Sequence, residues 1–258
     1  DCSVYGMDNG YKKSQLPQLI ESIIKIPYSF KIRLGMMNPS FTYPIIDELI
    51  EIYKSPKMYK FLHIPIQTAS DRLLKEMHRP GSIKQTQEII EKFRAVFSDI
   101  TIATDIITGY PSESESDHQE NAEFLKKYKI DVLNLSKFSL HKNTSIYRRL
   151  IKNKLSVLNQ TYTKIDILNE IPTRVMNKRN TELMRVHKST ALENKKKYLN
   201  KKINVSVTKE INQGIYESRD ENYNIVLFPV EEKNPMIGKT TCINIKQIGV
   251  HHMIGEII

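Results

Sequence analysis

The feature that most constrains this chain is a change of pattern along its 258 residues. The first 150 alternate short β-branched runs with amphipathic helical periods, whereas the last sixty contain only short strand-like runs broken by glycine. Strand patterns appear at Phe30–Leu34, Tyr59–Ile64, Ile100–Ile107 and Val132–Leu135. Between them, Leu16, Leu19, Ile20, Ile23 and Ile24 share one helix face, and Ile45, Ile46, Leu49, Ile50 and Tyr53 another. Ser70 stands where it can cap a helix carrying Leu73, Leu74 and Met77, and Ile89, Ile90, Phe93 and Phe97 mark a fourth helix. Strands alternating with helices of this length predict βαβ units and a parallel sheet. From 151 to 199 the pattern is helical and polar, divided at Pro172. From 200 to 258, Ile203, Val205 and Val207 alternate with polar residues, and Ile225–Phe228 and Cys242–Ile245 follow. Five short strands in this space predict a small closed barrel.

Charge is as uneven as pattern. The net +10 conceals a stretch from Lys137 to Lys202 with 17 basic and four acidic residues, a local +13 against −3 elsewhere. A basic face of this size suits a polyanion, with counterion release as the driving force; a merely solvated face is the plainer alternative. Hydrophobic content of 40% excludes a disordered or fibrous chain, and no apolar run reaches the length of a spanning helix. Two cysteines, Cys2 and Cys242, make neither a disulfide framework nor a four-thiolate metal site, and no metal site is expected. With no secretory signal at Asp1–Gly6, a reducing cytoplasmic setting is expected.

The segments after the strands are polar where a plain turn would suffice: Arg33–Pro39, His63–Ser70 and Asp105–Glu113. In a parallel α/β barrel the C-terminal strand ends form the site, which makes Gln67 and Asp105 candidate ligand contacts; capping the next helix is the competing reading. His63 reads as packing. His251 and His252 are adjacent on a strand and point to opposite faces, which disfavours a metal pair. A strand at Phe30 would be an exposed edge. That edge and the first residue, Asp1, suggest a chain that begins inside a larger barrel.

Taken together, Tyr5-Gly6, Arg33–Pro39, Phe61-Leu62-His63-Ile64-Pro65, Met77-His78-Arg79 and Thr101–Glu113 resemble the radical S-adenosylmethionine methylthiotransferases. The resemblance is to the archaeal and eukaryotic branch that acts on threonylcarbamoyladenosine in tRNA. The tail, with Asn234-Pro235 and Gly238-Lys239, is similar to that family's RNA-binding TRAM domain. The resemblance implies an α/β fold: a partial (β/α) radical SAM barrel without its first strands over residues 1–150, a basic helical connector over 151–199, and a small all-β, OB-like TRAM barrel over 200–258. It implies S-adenosylmethionine and 4Fe–4S clusters as cofactors, tRNA as partner, and methylthiolation at carbon 2 of the adenine. Gln67 and Ser70 would then lie near the ribose or methionine part of S-adenosylmethionine, with Asp105, Gly109 and Glu113 on the adenine side. Lys195, Lys196, Lys197, Tyr216, Arg219, Tyr223, Lys239 and Lys246 would face RNA.

The departures are as informative. The family's CxxxCxxC cluster loop is absent from the sequence, and neither Cys2 nor Cys242 has neighbours at ligand spacing. No catalytic residue is therefore expected here, and a cluster-binding N-terminal region of the same protein becomes an expected partner. An Arg-Pro-Gly-Thr motif reads His141-Lys142-Asn143-Thr144, and residues near 151–171 look inserted. A non-catalytic remnant that binds RNA is the alternative function.

Overall fold

The computed structural model describes residues 1–150, 170–230 and 236–258. In the first part, three parallel strands form a sheet in the order β1 (Phe61–His63), β2 (Thr101–Thr108), β3 (Val132–Lys137). Phe61 pairs with Thr101, and Ala103 with Val132. Successive strand residues point to opposite faces, and the sheet uses this in full. Leu62, Ile102 and Ile106 enter the main core, whereas Phe61 and Ala103 belong to a small cluster on the other face.

Helices cover the first face. They are α1 (Leu16–Ile24), α2 (Pro39–Thr42), α3 (Ile46–Tyr53), α4 (Asp71–Glu76), α5 (Ile83–Val96) and α6 (Glu115–Tyr128). The expected apolar stripes are the ones that bury: Leu16 and Ile20 on α1, Leu49 and Tyr53 on α3, Ile89, Ile90 and Phe93 on α5. Tyr53 meets Phe93 edge-on at 5.1 Å between ring centroids, a favoured aromatic geometry. Among the described residues no helix is long and apolar enough to cross a membrane.

Three expectations are corrected. Phe30–Leu34 forms no strand; it makes single parallel bridges, Ile32 to Met58 and, further on, Met36 to His63. The ladder breaks because the Phe61 N–H turns back to the Tyr59 carbonyl at 2.9 Å, which also shortens the expected strand at Tyr59–Ile64 to β1. Ser70 occupies the N-cap position of α4 but makes no capping bond, since its hydroxyl donates to Asp117 Oδ1 at 2.6 Å. Beside these, α6 is a helix that apolar periodicity does not reveal, because its buried face includes Asp117, His118 and Asn121.

A 23-residue helix, α7 (Thr173–Lys195), begins just after Pro172 and packs along α6 and β3. Most of the segment near 151–171 lies outside the described residues. A 3₁₀ turn at Lys196–Tyr198 then leads to five strands: β4 (Lys202–Asn212), β5 (Ile215–Arg219), β6 (Ile225–Pro229), β7 (Thr240–Ile248) and β8 (His252–Ile257). They close as β4-β5-β6-β8-β7, with β7 returning to β4 through Ile203–Ile243. Val205, Val207, Val226, Phe228, Ile243, Ile245 and Met253 fill the inside, and closure leaves no free sheet edge in the barrel.

Candidate functional site

The site residues expected from the sequence fall into three environments. Four residues beyond β1, Gln67 adopts a left-handed backbone (φ 66°), uncommon for a residue with a side chain. Its N–H donates to the Asp105 carbonyl (2.8 Å) and its own carbonyl accepts from Ile107 N (2.9 Å), which zips the loop onto β2. The half-buried Gln67 side chain faces a cavity of about 130 Å³ shared with Met36, Asn38 and Arg79. Beyond it, Asn121 Oδ1 accepts from Ala69 N at 2.6 Å, and Ser70 is committed to Asp117.

Asp105 lies on the open face, where His63 Nε2 approaches its two carboxylate oxygens at 3.3 and 3.2 Å and Asn134 Nδ2 donates at 2.6 Å. Burial pushes this carboxyl up, but the hydrogen bonds from His63 and Asn134 outweigh it, and the net shift is downward. Asp105 is thus a held anion at neutral pH, and His63, read as packing, is its neighbour.

Gly109 and Glu113 are enclosed. Glu113 Oε2 accepts from Gly109 N (2.6 Å) and from Arg179 Nη1 on α7 (2.9 Å). Gly109 needs its missing side chain twice over: φ is +83°, and a Cβ would lie 2.1 Å from Met176 Sδ. Thr108 bonds Asn180, and His118 Nε2 faces Glu182 at 3.2 Å. Gly109 and Glu113 therefore anchor α7 to the loop after β2. Arg179 and Asn121, which organise this region, lie in segments where sequence reasoning found no motif.

The residues expected to face RNA also divide. Lys196 and Lys239 are exposed, and Lys246 pairs with Glu256 at 2.6 Å. Lys197 pairs with Asp99 beside the Tyr198 ring. Lys195 is 5% exposed and donates to the Val250 carbonyl (2.5 Å), with burial lowering its pKa. Tyr216 is a core residue stacked on Phe228. Tyr223 packs against Tyr59 and Phe61 (4.9 and 5.3 Å between centroids), and Arg219 lies over its ring at 4.4 Å while bonding Glu217. The barrel's β5–β6 turn thereby plugs the lower part of the open sheet face. Lys60 N on the sheet side donates to Glu221 O there at 2.9 Å. A second cavity, about 380 Å³, remains between the two, within the size range of small-molecule pockets.

An iron–sulfur cluster does not fit the residues present. Both cysteines are free, and no group of three metal-ligating side chains occurs among the described residues. A nucleoside cofactor fits better at Gln67, which lines the smaller cavity, than at Asp105, which lies within β2 with its carboxylate held by His63 and Asn134. Glu113, on the next loop, keeps a buried Oε1 with no partner among the described residues.

Residues 4–125 match the family described as the Radical SAM superfamily. Over its whole length the chain is 33% identical to a probable threonylcarbamoyladenosine tRNA methylthiotransferase of Archaeoglobus fulgidus, of which it spans 54%. It is 31% identical to that of Pyrococcus horikoshii, spanning 55%. With the threonylcarbamoyladenosine tRNA methylthiotransferase of Homo sapiens it shares 30% identity over 99% of its length and 40% of the human protein. The chain thus spans about half the length of the archaeal relatives it matches. The Radical SAM match, together with similarity that runs from one end of the chain to the other, places it in the radical S-adenosylmethionine methylthiotransferase family.

Proposed function

We propose that this chain is the cofactor-orienting and RNA-engaging part of an enzyme that methylthiolates carbon 2 of threonylcarbamoyladenosine in tRNA. The observation that carries this is the end-to-end similarity to proteins bearing that name. In this reading Gln67 and Asp105 contact S-adenosylmethionine, which supplies the radical chemistry. Ser70, Gly109 and Glu113 act one step back, by fixing the two loops against α6 and α7. The cluster ligands come from a part of the protein outside these 258 residues.

The closed barrel acts as a TRAM domain in the cytoplasm and holds tRNA by its backbone. Lys196, Lys201, Lys202 and Lys239 are the exposed lysines of this region that suit phosphate contacts. Lys195, Tyr216 and Tyr223 serve the packing that presents them. The test is a salt titration of tRNA binding by the chain and by a variant with Lys196, Lys201 and Lys202 changed to Gln. The logarithm of affinity should fall by roughly 0.7–0.9 per phosphate contact for each tenfold rise in salt, and the variant should show a shallower slope. Salt-independent binding, or equal slopes, would count against the proposal.

A further inference from the structure

The larger cavity contains an arginine that the internal contacts leave unused. Arg33 points into the space between the open sheet face and the barrel, its guanidinium over the rings of Phe61 (4.7 Å) and Tyr223 (5.2 Å). Among the described residues it forms no ion pair and no hydrogen bond, whereas its charged neighbours are satisfied. Arg219 bonds Glu217 (2.9 Å) and Lys195 bonds the Val250 carbonyl. Asp105 is taken by His63 and Asn134, and Asp131 accepts from Ile102 N and Asn194 at 2.9 and 2.7 Å. The charge without a partner in this cavity is therefore positive. In the same wall His187 is 2% exposed and keeps a buried Nδ1 without a partner among the described residues.

The cage is built at a cost. Tyr223, a bulky residue, is held at φ +64°, a conformation that persists only where its surroundings enforce it. Asp220 enforces it: its carbonyl accepts from Tyr223 N (3.1 Å) and its carboxylate from Asn224 N (2.7 Å). The turn thus brings one ring from the barrel into edge contact with one ring from the sheet, 5.3 Å between centroids. The Arg33 guanidinium lies over both rings at one side of this pair, and its N–H groups have no partner among the described residues; a planar guanidinium so placed can take a carboxylate in two parallel hydrogen bonds.

Resting on the function proposed above, we infer that this cavity receives the amino-acid arm of the substrate base and that Arg33 reads its carboxylate. A threonylcarbamoyl arm ends in a free carboxylate and carries a hydroxyl, and unmodified adenosine has neither. A backbone phosphate is the other anion an RNA offers. The cavity favours the arm, being concave, flanked by rings and provided with one unpaired cation, where phosphate tracking calls for a row of exposed charges.

The test is a calorimetric titration of the chain with N6-threonylcarbamoyladenosine, its methyl ester and adenosine. The acid should bind roughly tenfold or more tightly than the ester, as expected for one charge-assisted pair. Arg33→Gln should abolish that ratio while the chain remains folded by circular dichroism. Equal affinity of wild-type chain for acid and ester overturns the inference, and this comparison does not depend on the variant folding. A short unmodified RNA that displaces the acid from wild type but not from Arg33→Gln also overturns it, by making Arg33 a phosphate contact. If tRNA binds while acid and ester are not distinguished, the inference fails and the tRNA reading stands. If neither nucleoside nor tRNA binds, both fail.

Discussion

The Arg179–Glu113 pair offers a direct measure of how α7 is held. Its side chains are 7% and 0% exposed, and three hydrogen bonds converge on it: Arg179 Nη1 to Glu113 Oε2 (2.9 Å) and to its carbonyl (3.2 Å), and Gly109 N to the same Oε2. Among the described residues Glu113 Oε1 and Arg179 Nε have no partner, so the pair carries unmet polar atoms there. Arg179→Ala leaves a buried carboxylate with one backbone donor. Losing one member of a buried pair costs about 3–5 kcal/mol, and the remaining Gly109 N–H puts the expected loss near the low end, about 3 kcal/mol. With Glu113→Ala as the other single variant, replacing Arg179 and Glu113 together by Ala removes both charges, so the double variant should be more stable than the sum of the single effects by about 2 kcal/mol. The assay is urea unfolding of the four proteins, with unchanged m-values as the check that only stability moved. A cost below about 1 kcal/mol for Arg179→Ala, or strict additivity, would refute the reasoning.

Two other perturbations are specific. Gly109→Ala places a side chain at φ +83° and within 2.1 Å of Met176 Sδ; the backbone term alone is about 1–2 kcal/mol. Its melting temperature should fall by several degrees, and Met176→Ala should restore only the part due to the clash. An unchanged melting temperature in Gly109→Ala would contradict the left-handed conformation. The Asp117 carboxyl is pushed up by burial, yet hydrogen bonds from Arg72, Ser114 and Ser70 outweigh this and bring it down to about 2. Because the folded value lies below the ordinary 3.8, this group contributes stability above about pH 4 and loses it as pH falls toward about 2. Asp117→Asn should flatten that limb of a stability-against-pH curve, and a limb of undiminished slope would assign the acid sensitivity to other carboxylates.

What could be read in advance depended on whether apolar spacing coincided with burial. On α1, α3 and α5 it did, and in the tail the alternation at Ile203, Val205 and Val207 announced β4 and, with its successors, a closed barrel. On α6 the buried positions include Asp117, His118 and Asn121, and on α7 they are Arg179, Leu183, His187, Ala191 and Lys195 at every fourth residue. A polar buried stripe has the right period and the wrong chemistry for a hydrophobicity reading. The site shows the same limit. Motif position offered Gln67, Ser70, Asp105 and Glu113 alike, and it could not tell that Ser70 and Glu113 are enclosed by partners remote in sequence. Arg33 stood inside a quoted segment, and only the arrival of Tyr223 from the barrel gives it a setting.

The helix α7 is pinned at both ends, by Arg179 to the loop after β2 and by Lys195 to the barrel at Val250. At about 1.5 Å per residue its 23 residues measure about 34 Å. A strut of that length, packed along α6 and β3, makes the spacing between the Gly109 loop and the barrel a matter of how many residues one helix contains. The two parts of the molecule are registered by a rigid member, where a flexible linker would let each drift.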